Sequence, residues 1–156
     1  MDADEVIDLH CSGEACMHAY VAQEFEAHFT PLLDLLEAEV ALSELETGAH
    51  SFDETNVSVW RHLKTHYAHM MPWGCRSLTL ELRGENDISH ELAEKDASAL
   101  MKYLILRDVV AGEKPKLKKQ KVTFYPLDAM DLVKAPVAGI ACFHKSLGEP
   151  VEAGEV

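Results

Sequence analysis

The segment from Ser77 to Arg83 constrains the fold most, because apolar and polar residues alternate through it without interruption. This period of two predicts a β-strand, since successive side chains of a strand point to opposite faces. One face carries Leu78, Leu80 and Leu82, and the other carries Ser77, Thr79, Glu81 and Arg83. The strand is therefore expected to bury its leucines and to present Glu81 and Arg83 on one shared face.

A second strand is expected close to the first residue. Val6 to Leu9 is an apolar run interrupted only by Asp8, which indicates a buried strand ending at His10. A histidine at the tip of a buried strand is well placed to bind a metal above a parallel sheet, but it is also an ordinary polar strand end. Asp8 would either orient the imidazole or face solvent.

Helices and a further strand are expected between and after these two strands. Leucines at helical spacing follow Pro31, which suits a first helical turn. Val40 to Leu45 alternates as a strand does, and Gly48 to Glu54 has the composition of a loop. Later in the chain, Asp87 or Ser89 would cap a long amphipathic helix.

The character of the sequence changes at Glu113. The stretch KPKLKKQK is basic, and we expect a solvated linker or an exposed strand edge there. Short apolar runs separated by turn signals follow it, which is typical of β-structure. We therefore predict an α/β domain over residues 1–112 and an incomplete, β-rich domain over residues 113–156.

Composition limits the partners and the compartment. The 156 residues include 14 basic and 27 acidic ones, and the net charge of −13 repels nucleic-acid phosphates and anionic lipid surfaces. We expect neither nucleic acid nor a membrane as a partner. No apolar run is long enough to span a bilayer, the first residues are acidic, and the four scattered cysteines form no Cys-x-x-Cys pair. We predict reduced thiols and a cytoplasmic location.

Glu81 is the second candidate for chemistry, after His10. A carboxylate among leucines is costly to bury unless it is paired or used. Glu81 would act as the general base toward a metal-bound water, or it would be exposed and pair with a neighbouring cation. Arg83 would bind a substrate carboxylate through two hydrogen bonds or neutralise Glu81.

The remaining histidines are weaker candidates. His62, His66 and His69 are spaced to share one helical face, but no acidic partner lies at metal-ligand spacing, so a metal site there is not favoured. His18 has no neighbour in sequence that distinguishes it from a surface or core-edge residue.

The segment DLHCSGEACMHAY, from Asp8 to Tyr20, resembles the succinylglutamate desuccinylase/aspartoacylase family, zinc-dependent deacylases related in fold to the zinc carboxypeptidases. Three further segments agree with this family in order, namely residues 48–54, 77–89 and 130–155. The last of them resembles the small barrel-sandwich-like β domain, similar to biotinyl and lipoyl carriers, that closes these proteins. The resemblance implies part of a zinc-carboxypeptidase-like αβα sheet followed by part of that β domain.

Carried over residue by residue, the resemblance implies that His10 is the third zinc ligand and that Glu81 is the catalytic base. Arg83 would contact the substrate, which would be an N-acyl amino acid or a related amide. The first two zinc ligands of the family come from an upstream His-x-x-Glu motif, and this sequence contains none.

The missing motif leads to three expectations. The chain looks like the C-terminal part of a family member, cut at both ends. By itself it would bind zinc weakly and have no deacylase activity, because catalytic zinc takes three protein ligands. Uncovered apolar surface would favour self-association. The alternative is a non-enzymatic protein, either a gene remnant or one piece of a split protein whose partner supplies the missing ligands.

Overall fold

The computed structural model describes residues 3–44, 52–67, 71–117 and 121–155. The strands are β1 (Glu5–Ser12), β2 (His18–Ala22), β3 (Val40–Glu44), β4 (Arg76–Gly84) and β5 (Thr123–Pro126). The helices are α1 (Glu26–Leu36), α2 (Phe52–Tyr67) and α3 (His90–Leu106), and short 3₁₀ turns occupy Gln23–Phe25 and Leu127–Ala129. The described residues thus form a mixed α/β fold.

The strands form one sheet in the order β1-β4-β2-β3-β5. β1 runs parallel to β4, and β2 runs parallel to β3, which in turn runs parallel to β5. β2 and β4 pair antiparallel, so the sheet is mixed. Because β4 lies between β1 and β2, its carboxyl-terminal half lies beside the end of β1 and the start of β2.

From Ser77 to Leu80, β4 is buried on both faces, although its alternation predicts burial of the leucine face only. Leu78 and Leu80 are fully buried, as expected. Ser77 and Thr79 on the opposite face are also buried, at 2% and 7% exposure. The reason is tertiary packing, since α2 packs against β4 and β2 while α1 and α3 pack against each other.

The helices α1 and α3 cover the leucine face of the sheet. Glu5 lies on this face of β1, and its carboxylate forms ion pairs with His28 of α1 at 2.7 Å and with Arg107, just after α3, at 3.4 Å. Tyr103 of α3 is fully buried. Burial, and then the Glu5 carboxylate, raise the pKa of the Tyr103 phenol. The core under these helices also contains Val21, Phe25, Phe29, Leu32, Leu33 and Leu36.

The start of α1 was predicted wrongly. The helix begins at Glu26 and contains Pro31 in its interior, although Pro31 suits a first turn. Phe25 and Phe29, four residues apart and both buried, extend the apolar face toward the N-terminus and outweigh the hydrogen bond that Pro31 cannot donate. The hydroxyl of Thr30 donates to the Glu26 carbonyl at 2.8 Å in the same turn.

Two further expectations change in the structure. β1 is half-buried rather than fully buried, because within the described chain it is an edge strand with β4 as its neighbour. It also continues beyond His10 to Ser12. Phe52–Glu54 begin α2 rather than a loop, while residues 48–51 lie outside the described residues. The predictions of β3 and of Ser89 as the cap of α3 are confirmed, since the Ser89 hydroxyl accepts from Leu92 N at 3.1 Å.

The chain beyond residue 112 contributes a strand to the same sheet. β5 pairs with β3, and Asp34 of α1 accepts backbone hydrogen bonds from Lys121 at 3.0 Å and Val122 at 3.4 Å at its start. After the second 3₁₀ turn, the described residues 130–155 contain no helix or strand. The domain boundary at residue 112 and the barrel-sandwich-like β domain stay predictions. Each helix in the described part of the chain is too short or too polar to cross a membrane.

Candidate functional site

His10 and Glu81 meet on one face of the sheet. They are direct register partners of the parallel strands β1 and β4, near the carboxyl end of each. Register partners on adjacent strands point to the same face, and the carboxyl ends of parallel strands are where open α/β sheets place their ligands. His18, the first residue of β2, pairs with Glu81 from the other side. Glu81 therefore lies between His10 and His18 in one row of register partners across the sheet.

Asp8 orients the ring of His10. Asp8 Oδ2 lies 2.8 Å from His10 Nε2, and both residues are on the face that carries Glu81. An ionised carboxylate only accepts hydrogen bonds, so in the neutral ring Nε2 carries the proton and Nδ1 keeps a lone pair. This arrangement of carboxylate and imidazole is the one that metal-binding histidines use to fix their tautomer. His10 Nδ1 is thus the atom suited to bind a cation.

Ser12 contacts the Glu81 carboxylate. The Ser12 hydroxyl donates a hydrogen bond of 3.2 Å to Glu81 Oε2 from the end of the adjacent strand. The pairing of β1 with β4 shifts between these positions, since His10 pairs with Glu81 whereas Ser12 pairs with Gly84. The extra residue on β4 is a β-bulge, a feature that re-aims side chains near functional sites.

His18, like Ser12, belongs to this site although the sequence pattern did not single it out. Its Nδ1 lies 2.9 Å from the Cys16 carbonyl oxygen, and its ring packs edge-on against Tyr20 with centroids 5.4 Å apart. A carbonyl can only accept, so in the neutral ring Nδ1 carries the proton and Nε2 has the lone pair. The alternation of His18 and Tyr20 with buried Ala19 predicts their shared face, but only the strand order brings that face to Glu81.

Arg83 is bound by Asp96 of α3. Its Nη1 and Nη2 donate to the two carboxylate oxygens of Asp96 at 2.8 and 2.9 Å, and this pairing raises the pKa of the Arg83 guanidinium. Arg83 has a φ of 78°, which breaks the alternation of β4 and turns its side chain toward the helices of the leucine face. Arg83 and Glu81 therefore do not share a face as expected, and a contact of Arg83 with substrate stays a prediction.

The residues of this site do not by themselves fit a catalytic zinc ion. Over the described ranges, no group of three His, Cys, Asp or Glu side chains is arranged to hold a metal. A catalytic zinc takes three protein ligands and an open position, and His10 would supply one of them.

The other histidine cluster lies on α2. The rings of His62 and His66 are 4.3 Å apart, and His66 Nδ1 bonds to the His62 carbonyl, while His69 lies outside the described residues. A cavity of about 480 Å³ beside His62 is lined by Glu24, Arg61, Lys64, Thr65 and Trp73. Glu24 follows the end of β2 that is remote from His18, so this cavity is separate from the His10 and Glu81 row.

The fold is a mixed α/β sheet flanked by helices, and at this coarse level it matches the fold of the deacylase-family structures described below. The chain is similar to a protein of Shewanella frigidimarina NCIMB 400 provisionally assigned as a succinylglutamate desuccinylase/aspartoacylase, with 25% identity and a TM-score of 0.77 over 97% of this chain and 40% of that one. A provisionally assigned member of the same family from Shewanella amazonensis SB2B matches with 25% identity and a TM-score of 0.74 over 93% of this chain and 39% of that one.

A more distant similarity agrees at the level of the fold. The succinylglutamate desuccinylase of Chromobacterium violaceum matches with 17% identity and a TM-score of 0.50 over 87% of this chain and 41% of that one. The resemblance seen in the sequence is therefore confirmed, since these structural neighbours are succinylglutamate desuccinylase/aspartoacylase family proteins. The chain spans about 40% of the length of the first of them. No protein-family profile and no curated protein matches the sequence.

Proposed function

We propose that this chain carries one part of the active site of a zinc-dependent deacylase that hydrolyses an N-acyl amino acid or a related amide. In this proposal His10 is one ligand of the zinc ion and Glu81 is the general base. The observation that carries it is the register of β1 and β4, which pairs His10 with Glu81 at the carboxyl ends of two parallel strands. The similarity to deacylase-family structures supports the same reading.

Each side chain has a chemical task in this proposal. Asp8 holds His10 so that Nδ1 faces a cation. Glu81 takes a proton from the attacking water and returns it to the departing amine. Zinc, where the remaining ligands are supplied, would provide the Lewis acid that polarises the acyl carbonyl. Arg83 would contact substrate only after releasing Asp96.

We expect no turnover by this chain alone, since its described residues contain no group of three side chains arranged to hold the zinc ion. Calorimetric titration with Zn²⁺, together with hydrolysis assays on N-acetyl amino acids, tests this expectation. Weak binding without turnover is predicted. Tight one-to-one binding with turnover would show that the chain has a complete site.

The catalytic proposal is tested by restoring the missing ligands. The coding DNA directly upstream is read for an in-frame or frameshifted segment that encodes a strand followed by His-x-x-Glu, and that segment is joined to the chain. Zinc-dependent hydrolysis is expected, and His10→Ala and Glu81→Gln should abolish it. His144→Ala, at an exposed position, is the control and should retain activity. Hydrolysis that survives Glu81→Gln would refute the assignment of the base.

The second candidate is a non-enzymatic protein, either a gene remnant or one piece of a split protein. It is favoured by the single metal ligand at the site and by the position of β1 at the end of the strand order, with Leu9 half-exposed. An open strand edge with an exposed apolar side chain invites another strand, including one from a second copy. A monodisperse monomer that melts sharply would argue against self-association.

The remaining assignments rest on the sequence. We propose that the protein acts in the cytoplasm on a small acyl amino acid, with neither nucleic acid nor a membrane as a partner. Its net charge of −13 and its four free cysteines support this assignment.

A further inference from the structure

The geometry points to Ser12 as a positioning residue for Glu81, with Gly84 packed closely against the turn that follows Ser12. This inference rests on the proposed role of Glu81 as general base and adds a residue to that site. Ser12 would fix the orientation of the carboxylate without contacting the substrate.

The first argument is the contact itself. The Ser12 hydroxyl of β1 donates a hydrogen bond of 3.2 Å to Glu81 Oε2 of the adjacent strand β4, and this contact is partly buried. A glutamate side chain has several rotatable bonds, and a hydrogen bond to one oxygen selects one orientation among them. The other oxygen then remains to accept a proton on the face that carries His10.

The second observation is the β-bulge that lies beside this contact. In an unbroken register Ser12 would pair with Arg83, two residues beyond Glu81. The register shift instead pairs Ser12 with Gly84, so β4 has one extra residue between Glu81 and Gly84. Arg83, which lies in this stretch, has a positive φ. A non-glycine residue in this conformation is strained, so the bulge persists because surrounding contacts hold it.

The third argument is how closely the two chain segments approach at Gly84. The Glu85 amide donates to the Ser12 carbonyl at 2.7 Å. A Cβ atom at position 84 would lie 3.3 Å from the Gly13 carbonyl oxygen and 3.4 Å from the Cα of Glu14. Its nearest neighbour would be the Asp87 carboxylate at 3.2 Å, so a side chain there requires that carboxylate and the turn after Ser12 to shift by a few tenths of an ångström.

Carbon-13 NMR of the glutamate carboxyl groups in the full chain tests the inference without any need for activity. The Glu81 signal is assigned by its loss in Glu81→Gln. Ser12→Ala is expected to shift this signal at constant pH, whereas Ser12→Thr, which keeps a hydroxyl, should leave it near its wild-type position. Gly84→Ala should shift it in the same direction as Ser12→Ala.

The matched control is Ser58→Ala on α2, which removes a serine hydroxyl that bonds to the Thr55 carbonyl at 3.2 Å. It should leave the Glu81 signal unchanged. An unchanged signal in Ser12→Ala, or equal shifts in Ser12→Ala and Ser12→Thr, would overturn the inference. Because Gly84→Ala leaves Ser12 intact, a response in that variant cannot come from loss of the serine itself.

The same variants separate this inference from the proposed function. In the chain joined to a segment that supplies His-x-x-Glu, Ser12→Ala should lower kcat about ten- to hundredfold with little change in KM. The reason is that the substitution misaligns the base and does not weaken substrate binding. Ser12→Thr should restore kcat. An NMR response without any hydrolysis would refute the deacylase and leave the contact established. Hydrolysis that Ser12→Ala does not slow would refute the positioning role.

Discussion

The ion pair between Arg83 and Asp96 provides a direct test of how the end of β4 is held. Replacement of Asp96 by asparagine keeps the shape of the side chain but removes its charge and one acceptor oxygen. The Arg83 guanidinium would then keep one hydrogen bond to a neutral oxygen in a mostly buried setting. We expect the folded state to lose stability and the bulge to loosen.

The size of the effect follows from the geometry and burial of the pair. The side chains of Arg83 and Asp96 are only 17% and 12% exposed, and both hydrogen bonds are short and parallel. Hydrogen bonds to charged groups contribute about 1.5–3 kcal/mol, whereas fully exposed ion pairs contribute about 0–1 kcal/mol. We therefore expect Asp96→Asn to lower the free energy of unfolding by about 2 kcal/mol. For a chain of this length the melting temperature would fall by about 4–8 °C.

Urea denaturation followed by circular dichroism measures this loss. The control is Asp108→Asn, which alters the ion pair with Lys114, whose side chains are 75% and 54% exposed. Asp108 has a φ of 61°, which asparagine tolerates well, so this variant should change stability by less than about 0.5 kcal/mol. Equal effects of the two substitutions would refute the reasoning from burial.

Three further predictions concern single side chains. Long-range proton–nitrogen NMR of the neutral rings should show the Nε2–H tautomer for His10 and the Nδ1–H tautomer for His18, and a reversed pattern would contradict the contacts with Asp8 and Cys16. Burial raises the pKa of the Cys75 thiol, so at pH 8 it should react with a disulfide reagent more slowly than exposed Cys142, and equal rates would show that Cys75 is accessible. Leu33→Ala should cost about 2–5 kcal/mol in chemical denaturation, since Leu33 is fully buried, and a loss below about 1 kcal/mol would contradict that burial.

Local patterns predicted the elements that carry the candidate site. The alternation around Leu78 and Leu80 predicts β4, and the apolar run before His10 predicts β1. Ser89 marks the start of α3, because its hydroxyl satisfies a backbone amide that the helix leaves free. These signals are visible because each depends on residues that are close together in sequence.

The features that the sequence could not reveal depend on long-range pairing. His18 joins the site because β2 runs antiparallel beside β4, a fact of strand order that no local period contains. Ser12 contacts Glu81 from the neighbouring strand, beside a bulge in which Arg83, a residue without the conformational freedom of glycine, takes a positive φ. The burial of Thr79 likewise follows from α2 packing on the sheet.

The register of β1 against β4 is the central claim, and it is measured most directly by interstrand nuclear Overhauser effects in the isotope-labelled chain. The structure predicts contacts that align His10 with Glu81 and Asp8 with Thr79. A shift of one residue would turn every side chain of β1 to the other face. Contacts aligning Leu9 with Glu81 would therefore place the imidazole and the carboxylate on opposite faces and contradict the shared site.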